Sequence, residues 1–233
     1  KSELEYDRQL AKITKAILAL DTDIIGLMEI ENNGFGDNGA LHALVESINA
    51  DIDGVNNHYV FVGIDSNKDG TLDKADTIGT DAITTGLLYR PSKVTLAKSG
   101  IIKMPQQHAD PVTKDGKEVE SGDNYQRDSL VATFIINQTG KKLNVAVNHF
   151  KSKGSTCVDD FDDKGTKVDA DQQGSCENFR ISAAYQLGTE FSKLEGDSVI
   201  LGDLNAYGSE DPLLVLTSNP TNKVLTSAIK TYI

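Results

Sequence analysis

Three short segments place reactive side chains at the ends of apolar runs: LMEIEN with Glu29, NHFKSK with His149, and LGDLNAYG with Asp203 and Asn205. A run of Leu, Ile and Val that stops at a carboxylate or an imidazole reads as a buried strand whose carboxyl end reaches a site. In LGDLN the two-residue repeat of a strand delivers Asp203 and Asn205 to the same side. Glu29 and Asp203 offer oxygen ligands to a hard divalent cation. A cation held there would neutralise phosphate, act as a Lewis acid and lower the pKa of bound water. His149 and Asn205 would then contact the phosphate, with His149 as the candidate proton donor. Each residue alone has an ordinary alternative. Glu29 could be a solvated strand end, His149 a satisfied histidine, and Asp203 and Asn205 turn formers.

A second set of oxygen donors lies in DSNKDGTLDKAD, residues 65–76. Asp65, Asn67, Asp69, Thr71, Asp73 and Asp76 fall on positions 1, 3, 5, 7, 9 and 12 of an EF-hand-type loop, with Gly70 at the sharp turn of position 6. That spacing wraps one Ca²⁺ and points to a structural cation. Position 12 is Asp instead of the usual Glu, and the flanks read as strands. The alternative is a solvated acidic turn. Cys157 and Cys176 sit in a polar stretch rich in Gly, Asp and Gln, where a buried thiol would be out of place. A local disulfide is the expectation, with two free thiols as the alternative. Closing a loop of this size stabilises a fold by about 3 kcal/mol and needs an oxidising compartment.

The elements that must position these groups follow from periodicity. Leu10, Ile13, Ile17 and Leu20 recur at helical spacing, and a second helix is expected over residues 40–50. Between and after them lie strand-like runs: DIIGLMEIE, YVFVGI, AITTGLLYR, VTLAKSGIIKM, SLVATFII, KLNVAVNHF and SVILGDLN. Phe179, Ala183, Leu187, Phe191 and Leu194 mark a third helix. Many strands covered by a few helices predict two packed sheets flanked by helices. With no internal repeat or long linker, residues 1–233 read as a single domain, with insertions at 65–76 and 154–176.

The 233 residues carry 23 Lys and Arg against 35 Asp and Glu, so the net charge is −12. Long-range attraction therefore cannot bring this chain to nucleic acid or an anionic membrane, and a polyanionic substrate would need bridging cations. Trp is absent and aromatics make up 6%, which disfavours an aromatic carbohydrate platform and a base-stacking surface. No run approaches the ~18 apolar residues of a membrane-spanning helix. Lys1 begins no charged-then-apolar leader and no initiator Met is present, so the chain reads as a mature or excised piece.

At these residues the chain resembles the endonuclease/exonuclease/phosphatase family, and more narrowly its secreted, deoxyribonuclease-I-like bacterial nucleases. The stretches NHFKSKGSTC, QGSCENFR, ISAAYQL and VILGDLNAYGSEDP carry the likeness, and GTDAITTGLLYRPSKV and QRDSLVATF add to it. It runs from about Leu10 to Pro212. The resemblance implies a four-layer α/β sandwich and hydrolysis of phosphodiester bonds of DNA, with RNA as a further substrate, using Mg²⁺ or Mn²⁺. Glu29 matches the family's metal-binding glutamate. His149 matches its phosphate-binding histidine, and Asp203 and Asn205 match its GDxN pair. Arg127 lies where relatives carry an arginine directed at phosphate. Lys151, Lys153 and Arg180 are further expected phosphate contacts. His42, His58 and His108 match no family motif.

Two parts of the family pattern are missing: a first strand with an Asn-containing end, and a closing Asp-His pair. The expectation is a domain shortened at both ends. The leading functional reading is a metal-dependent extracellular or cell-surface nuclease, stabilised by Ca²⁺. Its rivals are another phosphoesterase of the same superfamily and an inactive calcium-binding module on a degenerate nuclease fold.

Overall fold

A computed structural model describes residues 2–218. In chain order the elements are α1 (Glu3–Leu20), β1 (Ile24–Glu31), α2 (Ala40–Ala50), β2 (Val60–Phe61), β3 (Ile83–Tyr89) and β4 (Val94–Ile102). Short strands follow: β5 (Gln107–His108), β6 (Val112–Lys114), β7 (Lys117–Glu120) and β8 (Asp123–Asn124). The chain continues through β9 (Ser129–Ile136), β10 (Lys142–His149), α3 (Glu177–Phe191), β11 (Asp197–Asp203) and α4 (Asp211–Ser218). The fold is mixed α/β, with several sheets flanked by helices. The described residues group into two compact units. One holds the chain up to Ile101 together with Leu130–Val147, the other Ile102–Ser129 together with the chain from Asn148 onward.

In the first unit, α1 starts on a capping box: the Glu5 amide donates to Ser2 Oγ and the Ser2 amide to the Glu5 carboxylate. This satisfies amides that a helix start leaves without partners. Of the expected apolar stripe only Ile17 is buried, beside Thr14, while Ile13 and Leu20 are exposed. Thr14 Oγ1 meets Ser47 Oγ of α2 at 2.9 Å. Leu41, Leu44, Val45 and Ile48 give α2 a buried face against β1 and β2.

One sheet of this unit has the order β1-β3-β2, with antiparallel pairing from Ile24 opposite Tyr89 to Glu31 opposite Ile83. The expected strand YVFVGI pairs only at Val60 and Phe61; beyond them one bond remains, from the Val62 amide to Leu87 O. A second sheet sets β10 beside β9 and β9 beside β4. Its register runs from Lys142 opposite Ile135 to Val147 opposite Leu130. Tyr89 of β3 and Phe134 of β9 bring their rings to 5.1 Å, so the two sheets share a core. In the second unit, β11 runs beside the last residues of β10, and α3 packs on α4.

Candidate functional site

The segment LGDLN works through its glycine. Gly202 has φ +123°, and a Cβ there would lie 2.0 Å from Asn148 O. Only a residue without a side chain lets β11 approach β10 this closely. Across the contact, Asn148 Nδ2 donates to Leu201 O at 3.1 Å and the Phe150 amide donates to Asp203 O at 2.9 Å. Asn148 Oδ1 also accepts from the Ser129 hydroxyl. His149 is thereby fixed between Asn148 and Phe150, and it is only 6% exposed.

Asp203 emerges exposed at the strand end. Its Oδ1 accepts from the Asn205 amide at 2.8 Å, and Asn205 Nδ2 donates to Phe150 O at 2.9 Å. These bonds hold Asn205 in the left-handed region, at φ 48°. Asn is among the few non-glycine residues that adopt this region readily. Asp203 and Asn205 line a cleft of about 350 Å³ together with Ser152, Lys153, Gly154 and Tyr207. The second unit thus brings His149, Asp203, Asn205 and Lys153 into one neighbourhood.

Lys153 does not present a free charge to that cleft. Its Nζ lies 2.6 and 2.7 Å from the two carboxylate oxygens of Glu210, and 4.6 Å from the centre of the Tyr207 ring.

Arg180 corrects the expectation of a phosphate contact. It is fully buried, and its guanidinium donates to the carbonyls of Ser175 (2.5 Å), Gln173 (3.2 Å), Gly174 and Lys151 (3.4 Å each). A side chain without solvent contact cannot meet a substrate, so Arg180 organises the loop before α3. Burial lowers its pKa, opposed by the field of Glu210, Glu177, Asp160 and Asp169.

Lys151 is half-exposed beside this network. Arg127 is half-exposed between two anchored neighbours. Gln126 is buried and bonded to Gln106 and Pro105, while buried Asp128 accepts from Lys103 Nζ at 2.6 Å and the Met104 amide at 3.1 Å.

Glu29 belongs to the first unit. The pairing of β1 with β3 shifts between Leu27 and Ile30, and within this bulge Glu29 adopts φ 58° and is exposed. A bulge re-aims a side chain, and bulges recur beside active sites. Glu29 and Asn205, both singled out by motif, thus share a left-handed backbone conformation, which Asn adopts readily and Glu rarely.

The loop 65–76 is tied together by its own carboxylates. Asp65 accepts from the amides of Asp69 (3.2 Å) and Gly70 (2.9 Å), and Asp69 accepts from the Thr71 amide (2.8 Å). Asp76 is turned fully inward. Its Oδ1 accepts from the Ser66 and Asn67 amides and its Oδ2 from the Asp73 amide. Those bonds, the one from Asp73 foremost, hold its carboxyl below the usual range. Asp76 therefore anchors the loop's backbone. The loop is also pinned to the segment following β1, where the Phe35 amide donates to Asp73 O at 2.9 Å.

Cys157 and Cys176 form the expected disulfide. Between them Asp160, which the sequence reading did not single out, is buried and accepts from both cysteine amides, at 2.8 Å each. Among the described residues these three are the one group of three or more His, Cys, Asp or Glu whose ligand atoms lie within 4.8 Å of one another, and the disulfide occupies its sulfurs. Nearby, Glu177 is pushed up to about 8, by burial first and then by Asp171 and Asp211. Asp171 shifts the opposite way through its bond with Glu177. Tyr207 and Glu210 were also missed, although both lie in the quoted stretch VILGDLNAYGSEDP. The spacing of three that lets Glu210 accept the Tyr207 amide at 2.9 Å was the available signal.

This arrangement of sheets and helices is the fold of endonuclease/exonuclease/phosphatase proteins. Among solved structures, the human Nocturnin catalytic domain matches with a TM-score of 0.56 and 18% identity, covering 99% of this chain and 68% of that one. An endonuclease/exonuclease/phosphatase from Bacteroides vulgatus matches at 0.54 and 16%, covering 92% of this chain and 64% of that one. The mannosyl-6-phosphatase Bt3783 of Bacteroides thetaiotaomicron matches at 0.51 and 12%, covering 92% and 62%. The chain thus spans about two thirds of the length of these structures. No protein-family model matches it, and no curated protein matches it.

Proposed function

We propose that this chain is a metal-dependent extracellular nuclease that hydrolyses phosphodiester bonds of DNA, with RNA as a further substrate. The observation that carries this reading is the cleft at the end of β11, where Gly202 permits the close approach that sets Asp203 and Asn205 at its edge. Asp203, exposed and carrying hard oxygen donors, suits Mg²⁺ or Mn²⁺, and so does Glu29 on its bulge. A bound cation supplies Lewis-acid stabilisation of phosphate and a more acidic water. The chain's own residues would orient the substrate: Asn205 and His149 would contact phosphate oxygens, and His149 would deliver a proton to the leaving oxygen. Lys151 and Arg127, both half-exposed, are proposed to add positive charge along the substrate backbone. The Cys157–Cys176 bond fits an oxidising, extracellular setting.

The test is cleavage of supercoiled plasmid with Mg²⁺ or Mn²⁺, abolished by chelation and by Asp203→Ala. Cutting that persists in chelator refutes the assignment. The likeness to a mannosyl-6-phosphatase favours a second reading, a sugar phosphatase. Release of phosphate from mannose 6-phosphate without plasmid cleavage would select it.

We further propose that the loop 65–76 holds a structural Ca²⁺. Ca²⁺ is expected to raise the melting temperature of the wild-type chain, and the Asp65→Ala, Asp69→Ala double variant to lose the gain. An equal melting temperature with and without Ca²⁺ refutes the site.

A further inference from the structure

Tyr207 is the largest side chain lining the cleft of Asp203 and Asn205, and it is 77% exposed. Leaving an aromatic body in water forgoes burial energy. Its position is nevertheless fixed. The Tyr207 amide donates to Glu210 Oε2 at 2.9 Å, and the ring stands 4.6 Å from Lys153 Nζ, itself held by both oxygens of Glu210. A ring gripped through its backbone and by a cation, with most of its surface in solvent, is prepared to receive a planar partner at little entropic cost.

The charges around it point the same way. Lys153, the cationic side chain of the cleft, is neutralised by Glu210, and the chain carries a net charge of −12. Local Coulomb attraction for a polyanion is therefore weak, and stacking supplies affinity that does not depend on charge.

We infer that Tyr207 is a stacking platform for the nucleobase adjoining the phosphate in the Asp203–Asn205 cleft. This rests on the phosphoesterase reading above and narrows its substrate to nucleotides. Tyr207 is then a binding residue that decides specificity between nucleotides and other phosphate esters.

The test uses the full chain with Mg²⁺ and two probes, thymidine 5′-phosphate and 2-deoxyribose 5-phosphate, which differ only by the base. By titration calorimetry the wild type is expected to bind the nucleotide roughly ten-fold more tightly, the range for one stacked base being about 5- to 150-fold. Tyr207→Ala should bind both probes equally, and Tyr207→Phe should restore the preference. Equal binding of both probes by the wild type, or an undiminished preference in Tyr207→Ala, overturns the inference. So does tighter binding of mannose 6-phosphate than of thymidine 5′-phosphate. Hydrolysis of a thymidine dinucleotide by the same preparation reports on the nuclease reading separately. A chain that binds the base through Tyr207 yet cuts nothing would refute that reading and leave the platform standing.

Discussion

Arg180 separates two roles that its motif leaves open, and replacing it by methionine distinguishes them. Methionine keeps much of the volume of the aliphatic stem and removes the guanidinium, so the substitution leaves four backbone carbonyls without their donor. The bonds are unequal: 2.5 Å to Ser175 and 3.2 Å to Gln173 are strong, whereas the two at 3.4 Å are marginal. Counting the two shorter bonds as charge-assisted, at about 1.5–3 kcal/mol each, gives a loss of about 3–6 kcal/mol. Removing one partner from a buried charged network costs a similar amount. In a chain of this size each kcal/mol lowers the melting temperature by roughly 2–4 °C, so a fall of about 6–24 °C is expected by calorimetry. Lysine should recover only part of it, because a single ammonium cannot reach carbonyls arranged for a planar fork. A melting temperature within about 2 °C of wild type would refute the structural role. Joined to a raised KM for DNA, it would return Arg180 to the phosphate contacts.

Two further outcomes can be checked by the same measurements. Gly202→Ala places a Cβ 2.0 Å from Asn148 O at φ +123°, and it should cost about 3 kcal/mol or more through strain and overpacking. Gly100→Ala, with nothing within 4 Å, is the control expected to stay near wild type, and equal stability of the two variants would refute the argument. Glu177 binds its proton more tightly in the folded chain than in the unfolded one, with a pKa of about 8 against 4.5. Its contribution is therefore complete below pH 4.5 and is lost as the pH rises through 8. Solvent screening of this half-exposed group reduces the effect to about 1 kcal/mol. Glu177→Gln should flatten the fall in denaturant stability across that window, and an unchanged slope would refute the assignment.

Most of the core elements were legible because their signals are local. The apolar stripe of α1 and the buried run of β10 carry their period in consecutive residues, and the strand ends carry their motif residues with them. The short ribbons β5/β8 and β6/β7 were not, since runs of two to four residues contain too few repeats to show a period. Helix α4 has eight residues and an apolar sequence, DPLLVLTS, that does not distinguish helix from strand by pattern. The spacing of α1 marked Ile13 and Leu20 for a buried face that the packing does not give them.

The sequence by itself determined the chemical types at the candidate site: Glu29, His149, Asp203 and Asn205 are named by motifs whose residues are adjacent in the chain. It also placed Cys157 and Cys176 close enough to join. Tertiary structure alone decided what each side chain is free to do. Arg180 is an arginine in a phosphate-site motif, yet carbonyls from residues 151 and 173–175 surround it. Lys153 sits in NHFKSK, yet Glu210, 57 residues onward, takes its charge. Tyr207 falls in a motif tail without chemical distinction, and its place on the cleft makes it the aromatic surface nearest to hand. Residue type fixes which interactions a group can make. Which of them it makes depends on neighbours distant in sequence, and those are set only when β11 meets β10 and the loop closes over α3.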